Sequence, residues 1–174
     1  QVGAIETADI AALTTAQVAN LASASAAMFS TDQIVALTTA QAKVLTSTQL
    51  NALDSDQIGA IEVADLALIT TAQLVGVDAD TVAMLSTDQV VALNTAQMKA
   101  LTSTQLNALD SDQLAAVETA DIAALTTTQV AKLDTAILAL LSTDQVVAMG
   151  TAQIASLTTS QAAALTTDQI VALT

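Results

Sequence analysis

The feature that most constrains this chain is a repeat of eight residues, running from Glu6 to Leu173 without an insertion or deletion. Self-similarity at a fixed short period decides architecture before local propensity does. Ser30-Thr31-Asp32-Gln33-Ile34-Val35-Ala36-Leu37 is a representative unit. With Ser30 as position one, position eight is always large and apolar, as at Leu13, Phe29, Leu37 and Leu173. Position five is Ile, Val, Leu, Met or Ala, and position two is Ser or Thr except at Val63 and Ala79. Position four is Gln in fifteen of the complete octads and Asp at Asp9, Asp65 and Asp121.

Three helix-start signals coincide in this register. Thr, Ser, Asp or Asn at position one can accept a bond from an orphaned helix amide, as an N-cap does. Gln at position four then stands at N3 and completes a reciprocal capping box. The apolar residue at position eight of the preceding unit becomes N′ and the one at position five N4, which is the hydrophobic-staple pair. Asp at position three (Asp32, Asp56, Asp88) puts negative charge where the helix dipole is positive.

One continuous helix is excluded by arithmetic. Eight residues at about 100° each overshoot two turns by roughly 80°, so the apolar stripe would wind around the rod. A break at the start of each octad removes the conflict and leaves helices of about six or seven residues, an estimate that follows from the cap positions. Helices that short are unstable alone and must stack on neighbours. The expected fold is therefore all-α, a solenoid of very short capped helices, with positions five and eight inside and the Ser/Thr caps outside. A β-solenoid is the alternative, since Thr, Val and Ile favour strands. Abundant Ala, Leu and Gln, with four Gly and no Pro to turn corners, favour helices.

A second period lies above the first. Residues 46–57 return unchanged as 102–113, and Ser30-Thr31-Asp32-Gln33 returns at Ser86 and again at Ser142, a spacing of seven octads. Residues 1–174 thus read as one repeat domain, divided into 1–56, 57–112 and 113–168. Because seven is odd, the octad and not a helix pair is the expected unit. The chain opens in mid-octad and stops at the first residue of another, so either it is part of a longer array or its ends meet other copies.

The Leu-Thr-Thr-Ala-Gln and Leu-Ser-Thr-Asp-Gln runs resemble the Leu-Thr-x-x-Gln tracts of very large bacterial secreted and surface repeat proteins. The resemblance covers the whole chain and implies an extracellular or cell-surface location, with a structural or adhesive role. It carries no functional residues with it.

Composition closes off much chemistry. The formal charge is −14, from seventeen acidic residues against three lysines (Lys43, Lys99, Lys132). Nucleic acid and anionic lipid are poor partners for such a surface. No apolar run approaches the roughly eighteen residues of a membrane span. With no His, Cys or Arg, the chain lacks the usual bases, nucleophiles and anion clamps, and no enzyme or small-molecule substrate is expected. Asp54 with Asp56, Asp78 with Asp80, and Asp110 with Asp112 pair carboxylates two residues apart, and calcium takes oxygen ligands. None has the Gly turn or distal Glu of an EF-hand loop, so these six are weak metal candidates that capping explains equally well. The Thr rows could also form an ice-binding array, though seven acidic residues interrupt the position-one row. The Gln row could bond neighbour to neighbour, but fifteen separate capping partners is the plainer account. The expected function is a structural rod, stalk or end-to-end filament, with calcium-dependent adhesion or ice binding as alternatives.

Overall fold

A computed structural model describes residues 2–173. Each complete octad forms one α-helix, from Thr7–Ala12 to Thr167–Ala172, preceded by a short 3-10 turn at Val2–Ala4; no described residue lies in a strand. The helices are four to six residues long, a little shorter than the capping positions suggest. Each begins at position two because position one is extended, as at Ser30 (φ −74°, ψ 163°). In the six-residue helices other than Thr167–Ala172 position eight is extended as well, as at Leu93 (φ −66°, ψ 124°). No described residue has positive φ. The corners are thus made from ordinary extended backbone, which any residue can adopt, so a chain with few Gly and no Pro can still turn at every octad.

The helices stack by threes. Thr87–Ala92 packs on Val63–Leu66 below it and on Ser111–Ala116 above it, and Thr143–Ala148 packs between Thr119–Ala124 and Thr167–Ala172. The same interval of three helices relates every well-packed pair among the described residues, so one coil is three octads. Twenty-one octads therefore make seven coils of a three-sided solenoid. The seven-octad block is two coils and one third. Each block consequently starts one face further round, and a feature repeated once per block visits all three faces.

Positions five and eight fill the interior. Ile58 and Leu138 at position five and Leu101 at position eight are almost wholly buried, and the buried apolar residues from Ile10 to Met149 form one continuous cluster. Each such side chain contributes about 1.5–3 kcal/mol when buried. Volumes compensate locally: Phe29, the sole aromatic residue, shares its octad with the small Ala26 at position five. At the C-terminal end of the described residues Ile170 and Leu173 are exposed. One layer of the core was not anticipated. Twelve of the fifteen position-four glutamines are also inside, with Gln41, Gln89 and Gln169 each about 1 % exposed.

Candidate functional site

The buried glutamines hold the coils together. In fourteen octads the reciprocal capping box forms as expected; in the octad that starts at Gly150 only the Gln153 half exists, because Gly150 has no side chain to accept a bond. Gln89 is typical. Its Oε1 accepts the Ser86 N–H at 2.9 Å, and the Ser86 hydroxyl accepts the Gln89 N–H at 3.2 Å. That leaves the two amide hydrogens of Nε2, which reach down one coil to the carbonyls of Ile58 (2.8 Å) and Ile61 (2.9 Å). These carbonyls lie where the helix Ser55–Ala60 ends; that of Ile58 also accepts the Ile61 N–H at 3.1 Å, whereas that of Ile61 lies past the last intrahelical bond.

One primary amide therefore caps the start of its own helix and the end of the helix below. Only Gln offers an acceptor and two donors at that reach; Glu would present oxygen to oxygen, and Asn is one methylene shorter. The bond to the carbonyl 28 residues earlier recurs at every position-four Gln from Gln33 to Gln169. Gln17, in the first coil, keeps its capping box but has no coil beneath it, and it is exposed. The row is thus neither an amide-to-amide ladder nor a set of isolated boxes. It is a series of clamps onto backbone.

Six octads lack the Gln, and they fall into two classes that each recur at every seventh octad. The first has Ser25, Thr81 and Ile137 at position four. There the clamp runs upward: Asn51 Oδ1 accepts the Asp78 N–H at 2.8 Å while its Nδ2 donates to the Gly76 carbonyl at 3.2 Å. Asn107 does the same for Asp134 (2.9 Å) and Lys132 (3.1 Å). Ser25 lies too near the start to have an octad at that spacing below it.

The second class is acidic. Asp9, Asp65 and Asp121 stand at position four, and Glu6, Glu62 and Glu118 at position one of the same octads. These are the only glutamates in the chain, so each lies three residues before an Asp that replaces a Gln. None of the three glutamates caps its helix through its side chain. Asp65 and Asp121 are 4 % and 3 % exposed, and Asp65 Oδ1 is enclosed without a hydrogen-bond partner. No asparagine rises to these octads, because Val35 and Val91 occupy the places that correspond to Asn51 and Asn107. Asp9, in the first coil, is exposed.

The paired surface aspartates behave as caps and first-turn acids. Asp54 Oδ1 accepts from the Gln57 N–H at 2.9 Å, and Asp110 Oδ1 from Asp112 and Gln113 at 2.9 and 2.8 Å. Asp78 makes no side-chain cap, its N–H being held by Asn51. Asp56, Asp80 and Asp112 stand in the first turns of their helices. Among the described residues no three His, Cys, Asp or Glu side chains gather into one group. Lys43, Lys99 and Lys132 are exposed.

Two apolar cavities in the core measure about 10 and 20 Å³, against the several hundred that a small-molecule pocket needs. A hollow of about 320 Å³ opens at the C-terminal end between Met149, Ile154 and Leu173, where an eighth coil would sit. No helix among the described residues is long and apolar enough to cross a membrane.

Residues 2–39, 58–95, 91–118, 114–151 and 146–174 each match the model of the ALTTAQ repeat. No curated protein and no solved structure matches the chain.

Proposed function

The chain belongs to the ALTTAQ repeat family, and we propose that it is a non-catalytic structural rod, a stalk or filament element exposed outside a bacterial cell. The observation that carries this reading is the uniformity of the clamp. Almost every coil is fastened to the next by the same amide-to-carbonyl bonds, so length grows with coil number while cross-section stays constant. With stacked helices about 8–10 Å apart, seven coils give a rod of roughly 60–70 Å. The side chains that vary between octads are spread over three faces by the seven-octad period, which leaves no face specialised for a ligand.

End-to-end association of copies extends the same reading. The last described coil lines the open hollow with Ile154 and Leu173 and exposes Ile170, and the first exposes Gln17. A heterologous contact of that kind does not close and makes an open polymer. Electron microscopy of the purified chain over a range of concentrations tests it. Concentration-dependent filaments of constant width support self-assembly. Single short rods at every concentration remove the filament and leave a stalk segment, and compact particles of other shapes overturn the rod itself.

A further inference from the structure

We infer that the two acidic junctions, buried Asp65 with exposed Glu62 and buried Asp121 with exposed Glu118, bind calcium between coils, the ion taking the place of the glutamine clamp. The argument starts from register. Gln89 donates to the carbonyls of Ile61 and Ile58 in the coil below, and most clamped glutamines repeat both bonds at the same offsets. At those offsets the carbonyls that correspond for Asp65 are those of Leu37 and Ile34. For Asp121 they are those of Leu93 and Val90. A carboxylate presents only acceptors to a carbonyl. The junction therefore has oxygen on both sides and lacks the two N–H donors that join every clamped junction.

The orphaned atom shows where the mismatch lies. Asp65 is 4 % exposed and its Oδ1 has no partner, although a buried unpaired carboxylate is strongly disfavoured. Where other octads lose their Gln, Asn51 and Asn107 restore the clamp from below. Here no asparagine restores it, and the substitution is instead paired with the only glutamates, which do not cap their helices. A hard cation answers all three facts. Calcium accepts six to eight oxygens in flexible geometry, including carboxylates, backbone carbonyls and water. Two carboxylates, one or two carbonyls and water supply such a set, whereas zinc would want nitrogen or sulfur. Asp9, in the first described coil, is exposed and lies outside the inference.

Calorimetric titration of calcium chloride into the full chain, at physiological salt, tests this by stoichiometry. The expected values are two ions for the natural chain, one for Asp65→Gln and none for Asp65→Gln with Asp121→Gln. Asp56→Asn with Asp112→Asn, in the first turns of other helices, should keep two. Glu62→Thr with Glu118→Thr should also keep two, with affinity about tenfold lower, since ligand charge sets calcium affinity. No saturable heat from the natural chain overturns the inference, as does unchanged binding by the double glutamine variant. Gln is the residue that fifteen other octads use, so failure of that variant to fold overturns it too.

Discussion

The octads 86–93 and 62–69 are neighbours in one stack, yet they are joined to the coils below them by opposite means. Gln89 caps Ser86 and grips two carbonyls. Asp65 is buried too, caps nothing and leaves an oxygen unpaired. The two helices have equivalent neighbours in the solenoid, so the difference turns on one side chain and what it can donate. It follows that burial of positions five and eight suffices to stack an octad, and that the clamp sets how firmly adjacent coils are held. A solenoid is a chain of nearest-neighbour interfaces, so a weak junction lowers the stability of the coils around it and leaves distant ones unchanged.

The largest effect should come from making the first octad resemble the second. Gln89→Glu replaces two donors with a buried charge facing carbonyls, and should cost about 3–5 kcal/mol in chemical denaturation. The same change at exposed Gln17 should cost less than about 1 kcal/mol. If the two costs were equal, the capping box alone would account for the glutamines. Truncation is milder: Gln97→Ala orphans the Asn94 N–H and the Ile69 carbonyl, while the Leu66 carbonyl keeps its bond from the Ile69 N–H, for about 2–3 kcal/mol. The reverse exchange, Asp65→Gln in the presence of chelator, should stabilise by about 1–2 kcal/mol by restoring the clamp. Smallest is Asn107→Ala, which removes two exposed bonds and should cost about 1 kcal/mol, confined by hydrogen exchange to the coils that hold residues 107 and 134.

The same comparison explains what was legible in the sequence. Capping is a contact between residues three apart, so Thr102 with Gln105, or Ser142 with Gln145, announces its helix locally. The inside positions were equally legible, because Leu93 and Leu101 recur at one place in every octad and can be covered only by neighbours. The second half of the clamp was not. Its partner is a backbone carbonyl one coil away, which any residue supplies, so no residue type marks it. Nor does the octad state that three of them close a coil; extended residues such as Ser30 and Leu93 set that angle, and many residue types adopt it. Asn51 and Asn107 gave a faint signal in the unchanged return of residues 46–57 at 102–113, but a reader has no reason to join them to Asp78 and Asp134. The glutamates gave a clearer one. Three Glu, each three residues before an Asp at the Gln position, is a pattern that first-turn acidity does not require.

The three-octad coil underlies every contact between layers, and spin-label distances test it most directly. The chain has no cysteine, so label pairs can be placed freely. Thr71, Thr119, Thr143 and Thr167 are exposed, all stand at position two, and should lie above one another on one face. With coils about 8–10 Å apart, Thr71 should be about 16–20 Å from Thr119, about 24–30 Å from Thr143 and about 32–40 Å from Thr167. Equal increments of one coil between the last two pairs would establish three octads per turn. Distances about half as long again at each separation would mean a two-octad coil and would contradict the clamp, whose carbonyl partners exist only at the longer period.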